Sequence, residues 1–469
     1  MTLSLYDSFS RTHKHMKPLR GNTFRMYVCG ATVQGKPHVG HMRSTLVFDV
    51  LSNWMQYLGY DVELVRNVTD IDDKILHTAV HENRAWWAVA THYEREFHKA
   101  YAALGCKEPV AEPRATGHIT QIIEHIQRLI DRNHAYESEG DVYFDVRSFA
   151  EYGQLTRQLL DDMESSAEGE HDSKKRDIRD FALWKNVKND DPSWPSPWGR
   201  GRPGWHIECS AMAHAYLGES FDIHGGGLDL MFPHHENEIA QSRAAGYDFA
   251  QTWLHNSWVT QSGEKMSKSL GNSLIVSDVL NRVRGIELRW YLLSAHYRSK
   301  LEFSDDAMFD QAAAFNRITG FIERSTSMVG EISLDDVVLD AAFVAAMNDD
   351  LALPQAYAVI HENVSEGNLA LATSNLELVK AKLRQVRKML HILGVDPIAW
   401  NDKVDTMDDY KDVVEKLVAT KIIERSQARE HKDWKRADQI RDELEAAGIV
   451  LDDTPDGTRW SISKDEDGR

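Results

Sequence analysis

The sequence predicts an α/β protein organised around a parallel sheet of the nucleotide-binding type. Three observations carry that expectation. Residues 24–29 (Phe-Arg-Met-Tyr-Val-Cys) read as a short buried strand closed by Gly30. Between residues 39 and 60, Leu46, Val47, Val50, Leu51, Trp54 and Leu58 recur at helical spacing, and Gly59 supplies a stop. Residues 62–68 then read as a second strand. Strand, helix and strand in that order argue for parallel pairing through a crossover. Neither a Gly-x-Gly-x-x-Gly dinucleotide turn nor a Gly-Lys-Ser/Thr phosphate loop is expected, so phosphate would have to be bound by another device.

The remaining elements follow along the chain. Residues 115–200 read as an insertion, helical at first and then strand-like at Asp141-Val142-Tyr143-Phe144-Asp145-Val146. An acidic, Ser-rich stretch at 161–170 reads as a surface loop, and a Trp/Pro/Gly cluster runs from 184 to 205. The strand–helix pattern returns over 207–259, and helical patterns dominate from about 275 to 393. The last segment, from about 408, predicts helices and then a hairpin. Its turn signal is Asp453-Thr454-Pro455-Asp456-Gly457-Thr458, between the apolar runs 449–451 and 460–462.

Composition narrows the class. A chain of 469 residues with 42% hydrophobic content can bury a large core, and its length suggests roughly two to four domains. No run of about 18 uncharged apolar residues occurs, so no membrane span is expected. The first residues show no basic-then-apolar leader pattern. Three cysteines, Cys29, Cys106 and Cys209, make no disulfide framework and fit a reducing cytoplasm. The formal charge of -19 argues against coating nucleic acid by bulk attraction, though not against selective RNA recognition through local basic surface.

Four groups of residues are candidates for chemistry. His38-Val39-Gly40-His41 begins the long helix, where unpaired N–H groups and the helix dipole favour phosphate; the competing reading is two surface histidines at a helix start. Lys265-Met266-Ser267-Lys268-Ser269, between Gly263 and Gly271, places two ammonium groups on a hinged loop that could follow a leaving pyrophosphate, or is a solvated polar loop. Cys29, Cys209, His234 and Glu238 make a thiol, imidazole and carboxylate set suited to zinc, with His234 and Glu238 one turn apart in a segment that reads as helix. His206, His224, His235 and Glu236 compete for that role, and buried structural cysteines are the plainer reading. In the C-terminal run 429–444, Trp434 among charged residues offers a stacking surface for an unpaired base, or is the core residue of a charged amphipathic helix.

Taken in order, these residues resemble the cysteinyl-tRNA synthetase family of class I aminoacyl-tRNA synthetases. His38-Val39-Gly40-His41 is similar to the class I HIGH signature, and residues 265–269 match the KMSKS signature. Residues 66–74, 205–210, 222–230 and 233–238 resemble further family blocks; Gln34-Gly35 stands where many relatives carry Tyr-Asp. The resemblance implies a Rossmann-like catalytic core with a parallel sheet (1–120 and 204–260), split by a connective insertion (121–203). It further implies a KMSKS loop and stem-contact region (261–310), a helical bundle (311–400) and a small α+β anticodon-reading domain (401–469). The implied activity is ATP-dependent formation of cysteinyl adenylate and transfer to the terminal adenosine of tRNA(Cys). A cytoplasmic location is expected from the cysteine usage, and a monomer because no obvious dimer surface is read in the sequence.

The same resemblance implies one Zn2+ on Cys29, Cys209, His234 and Glu238, and ATP used with Mg2+. It gives catalytic roles to His38, His41, Lys265 and Lys268, ATP contacts to Gly40, His41 and Lys268, and a cysteine pocket to Thr69, Trp205 and Asp229. Arg429, Trp434, Asp438 and Asp453 are the implied anticodon contacts. Two alternatives stand beside it: a cysteine ligase of mycothiol synthesis sharing the catalytic half, and a catalytically inactive relative that binds zinc and RNA.

Overall fold

A computed structural model describes residues 2–163, 173–187, 191–261, 264–265, 274–400, 406–454 and 457–462. Its central sheet has four parallel strands in the order Phe249–Asn256, Ser220–Gly227, Thr23–Val28, Asp61–Arg66. Residues 111 and 114 extend it by single parallel bridges to Val65 and Val68. The first strand in sequence lies inside the sheet, and the chain builds outward from it in both directions. The boundary between Thr23–Val28 and Ser220–Gly227 is therefore a topological switch point, where a crevice opens at the C-terminal strand ends.

The crossover helix Val39–Tyr57 follows the predicted spacing but is covered on more than one side. It packs on the sheet and also meets the helices Gly285–Leu293 and Leu376–Leu393. Several polar groups buried along it are paired: Trp54 Nε1 donates to Asn348, Asn53 Nδ2 to the Ile392 carbonyl, and Asp49 receives Arg289 and the Lys107 amide.

The insertion holds the helix Ile119–Asp131 and a five-stranded antiparallel sheet, ordered Ala135–Ser138, Asp141–Phe144, Phe181–Asn186, Gly199–Pro203, Trp194–Ser196. The sequence reading found one of these five strands. Three of the others are short or carry Pro, Gly and charged residues, which hide the period-two pattern, and Phe181–Asn186 lacks strict alternation because adjacent Leu183 and Trp184 are both buried. Residues 199–204 spell Gly-x-Gly-x-x-Gly, but 199–203 form an antiparallel strand rather than a turn between parallel strand and helix, so no dinucleotide cradle results.

After the insertion, the helices Trp205–Leu217 and Glu236–Ala244 bracket the strand Ser220–Gly227. Longer helices follow, Asp305–Val329, Leu353–Ala372 and Leu376–Leu393 among them. Ser304 and Asn375 cap the first and last of these through their side chains, and Gly394 closes the last in the left-handed conformation at φ 70°. The chain divides into two compact units, Met1–Trp400 and Asn401–Arg469. The second unit contains the helices Thr406–Glu430 and Trp434–Ala446 and the predicted hairpin, Ile449–Thr454 with Gly457–Ile462. Val418, Ile440, Leu444 and Leu451 form its core. No helix among the described residues is long and apolar enough to cross a membrane.

Candidate functional site

Cys29 follows the strand Thr23–Val28 at the switch point, where its amide donates to the Gly225 carbonyl at 3.1 Å. Cys209 is the fifth residue of the helix Trp205–Leu217. Glu238 lies in the first turn of Glu236–Ala244. His234 does not share that helix, contrary to the sequence reading: it belongs to the kinked turn Met231–His235, in which Phe232, preceding Pro233, is extended at φ -137° and ψ 135°. The kink still brings His234 Nε2 to 3.1 Å from Glu238 Oε1.

One ligand atom from each of Cys29, Cys209, His234 and Glu238 lies within 4.8 Å of all the others, and three of the four residues are fully buried. Cys29 Sγ is 3.7 Å from Cys209 Sγ and 3.2 Å from Glu238 Oε1. The neighbours decide which atoms remain for an ion. His206 Nδ1 engages His234 Nδ1 at 2.9 Å, leaving His234 Nε2 inward, and His224 Nε2 holds Glu238 Oε2 at 2.8 Å, leaving Oε1. This is how an outer shell orients ligands around a metal. A second set, Cys29, His224, His235 and Glu238, also meets the 4.8 Å limit. Its His224 Nε2 is spent on the carboxylate, however, and His235 Nε2 stands 4.0 Å from Glu238 Oε1. Glu236 is excluded outright, because it accepts from the Gly153 and Thr156 amides and clamps the turn they form. The first set therefore fits zinc: soft thiols, one imidazole, one carboxylate and a supporting shell.

Electrostatics agree with a cation there. Burial opposes charge on Glu238, yet His224 and His234 hold its carboxyl down to about 2. Burial likewise opposes the His234 imidazolium, but Glu238 and Cys209 raise it to about 10. Against burial, the Cys29 S–H and His234 bring the Cys209 thiol down to about 6, while burial and its neighbours push Cys29 well up. His206 and His235 are driven well below the usual histidine range by burial and flanking imidazoles, so they are neutral partners.

Of the other predicted residues, Trp205 touches this cluster directly. Trp205 stacks on His234 with ring centroids 4.3 Å apart, and Lys74 Nζ is 5.3 Å from the Trp205 ring. Thr69 is buried, accepts from Asn67 Nδ2 at 3.3 Å and pairs with Thr32. Asp229 occupies the turn directly after Gly227, where a side chain at 227 would stand 2.4 Å from the carboxylate. His38 is the N-cap of Val39–Tyr57, Gly40 its second residue and His41 its third; the two imidazoles stack at 3.6 Å. The helix start is tied to residues 274–276, since the Val39 amide donates to Leu274 and the Val276 amide to Pro37. Lys265 lies in the two-residue strand Glu264–Lys265, paired with 260–261. Lys268 lies outside the described residues.

In the second unit, Arg429 is near the end of its helix and exposed, and Trp434 and Asp438 share a face one turn apart. Trp434 is 58% exposed, so the reading of it as a core residue is corrected: Ala437, Ile440 and Leu444 fill that role. Asp453 pairs with Thr458 in the hairpin.

The roles of His206 and His224 as outer-shell partners escaped the sequence reading. Only spacing on separate elements distinguishes them from His234, and spacing carries no such information until the elements fold together.

The chain is similar to known proteins over nearly its whole length. Residues 15–313 match the model for the class I (C) tRNA synthetase catalytic domain, 342–395 a DALR domain, and 422–460 the cysteinyl-tRNA ligase anticodon binding domain. A cysteine–tRNA ligase of Streptomyces avermitilis is 52% identical over 98% of this chain and 99% of its own. One from a Nocardioides species is 52% identical over 99% of this chain and 100% of its own. Among solved structures, a Mycobacterium tuberculosis methionyl-tRNA synthetase with methionyl-adenylate shares the fold, with TM-score 0.60 and 15% identity over 80% of this chain and 90% of that one.

Proposed function

The chain belongs to the cysteinyl-tRNA synthetase family, and from that premise we propose how its site selects and activates the amino acid. It is a cysteine–tRNA ligase, an ATP-using class I synthetase that joins cysteine to tRNA. The mycothiol-type ligase is not favoured, because the match continues through the anticodon binding domain at 422–460 and over nearly the full length of the ligases.

One zinc per chain would be held by Cys29, Cys209, His234 and Glu238, and the convergence of their uncommitted atoms carries this reading. Bound there, zinc prefers thiolate to hydroxyl and promotes loss of the thiol proton. A pocket relying on shape would separate cysteine from serine by only about a hundredfold. Thr69, Trp205 and Asp229 form the rest of the amino-acid pocket, with Asp229 pairing with the α-ammonium group.

Activation then needs positioning and charge stabilisation rather than a covalent enzyme intermediate. His38, His41 and the backbone at Gly40 support the Mg2+-bound triphosphate at the helix start. Lys265 and Lys268 stabilise the departing pyrophosphate. Arg429, Trp434, Asp438 and Asp453 read the anticodon, Trp434 through its exposed ring. The chain acts as a cytoplasmic monomer.

The deciding experiment charges total tRNA with labelled cysteine or serine and measures zinc on the same protein. The wild type should charge cysteine alone and carry about one zinc per chain; Cys209→Ser should lose most of its zinc and its cysteine activation. Full activity in a zinc-free Cys209→Ser protein would refute the metal assignment.

A further inference from the structure

A cavity of about 260 Å³ lies beside the metal cluster and none of the assignments above uses it. Tyr6, Ser8 and Arg11 from the N-terminal hairpin line one side; Met231, His255 and Ser257 line the other. It opens where the edge strand Phe249–Asn256 ends, at the same C-terminal edge of the sheet as the switch-point crevice. Leu228, next to Asp229 in the turn after Gly227, also borders it.

Three features define what fits. The volume suits one nucleoside and is too small for a nucleoside triphosphate. The walls mix apolar surface, from Met231, Leu228 and the Tyr6 ring, with a few polar atoms, the usual make-up of a site for a flat heterocycle and its sugar. His255 supplies one polar group: it is 4% exposed, its Nε2 is bonded to His235 Nδ1 at 2.8 Å, and its Nδ1 has no hydrogen-bond partner. A buried ring nitrogen left without a partner is costly and calls for a ligand donor or acceptor.

The cations at the cavity differ in availability. Arg298 also borders it, but its guanidinium is committed to Asp350 at 2.6 Å and lies 4.3 Å over the Tyr6 ring, so it stiffens the wall. Arg11 is exposed and donates to a single carbonyl, that of Thr156 at 3.2 Å, with no carboxylate ion-paired to it among the described residues. It is therefore the guanidinium placed to meet a phosphate.

We infer that this cavity seats the 3′-terminal nucleotide of the acceptor RNA during the transfer step, with its phosphate at Arg11 and its nucleoside against Tyr6, Ser8 and His255. The inference rests on the synthetase reading and deepens it. The chemistry recognised is that of a nucleoside with a 5′ phosphate, which ATP also offers. The triphosphate, however, is assigned to the His38–His41 helix start, and the bond from His255 to His235 joins this cavity to the residue next to His234.

The test uses the full chain with zinc bound and compares wild type, Arg11→Ala and Ser8→Ala. Cysteine-dependent pyrophosphate exchange reports activation, and single-turnover transfer from preformed cysteinyl adenylate reports the second step. We expect exchange to be unchanged, including its KM for ATP, and transfer in Arg11→Ala to slow about tenfold, the effect of losing one charge-assisted hydrogen bond. RNA binding supplies a readout that damage to the fold would not reproduce: removing the terminal adenosine should weaken binding to wild type and leave binding to Arg11→Ala unchanged. Undiminished transfer, or equal loss on trimming in both proteins, would overturn the inference. A raised KM for ATP would assign the cavity to ATP instead. Failure of the wild type to exchange pyrophosphate at all would count against the synthetase reading, not against this one.

Discussion

Arg43 shows how much a single side chain can organise near the site. It lies on the helix that carries the histidine signature and is 1% exposed. Its two terminal nitrogens donate to the carbonyls of Ser257, Trp258, His296 and Ser299, at 2.7 to 3.1 Å. Burial lowers its pKa to about 10, which still leaves it charged at neutral pH. A lysine at this position has one nitrogen and cannot hold the same four acceptors. Arg43→Lys should cost about 3 kcal/mol of stability, because buried carbonyls lose their donors, and urea denaturation of the two proteins measures it. His206 makes a comparable contribution to the metal cluster by fixing the free nitrogen of His234. His206→Ala should keep all four ligands yet weaken zinc about 10- to 100-fold, read by competition with a chelator. The four ligands were legible in the sequence through the family resemblance; the orienting histidines were not, because a ligand and its supporting residue are chemically the same until their nitrogens are placed.

At the scale of elements, the insertion helix Ile119–Asp131 is docked on Glu236–Ala244, the helix that carries Glu238. His125 makes that contact: it is buried, engages the Gln241 carbonyl at 3.3 Å and meets the Tyr247 ring edge-on. Burial depresses its pKa to about 4, against about 6.5 in an unfolded chain. The unfolded state therefore takes up the proton first as pH falls. The stability His125 contributes is fully present above pH 6.5 and is lost toward pH 4, amounting to about 2 kcal/mol between pH 7 and 4.5. His125→Gln should flatten that part of the stability–pH curve by the same amount, and parallel denaturation series on the two proteins would show it. The regular elements near the N-terminus were readable because their apolar spacing is periodic. Four of the five insertion strands were not: Trp194–Ser196 is too short to display a period and owes its place to its neighbour, and Phe181–Asn186 buries Leu183 and Trp184 side by side instead of alternating.

At the scale of the molecule, the division between Met1–Trp400 and Asn401–Arg469 separates all four metal-cluster residues from the exposed Trp434 face. A fragment ending at residue 400 should fold, bind zinc and retain cysteine-dependent pyrophosphate exchange. Its charging of tRNA should fall by about tenfold or more, as expected when a second contact region is no longer tethered to the first. Loss of exchange in a folded fragment would show that the C-terminal unit also supports activation.

By itself the sequence determined the class of fold, the two signature motifs and the family, because each rests on local order: a period, a string or a residue type at a fixed place. Only the tertiary structure decided which histidines face an ion and which hold the ligands, that His234 enters from a kinked turn rather than a helix, and that Arg11 and His255 border one cavity. Those outcomes depend on where separate elements meet and on which lone pairs are already committed to neighbours, and a linear chain carries neither quantity in readable form.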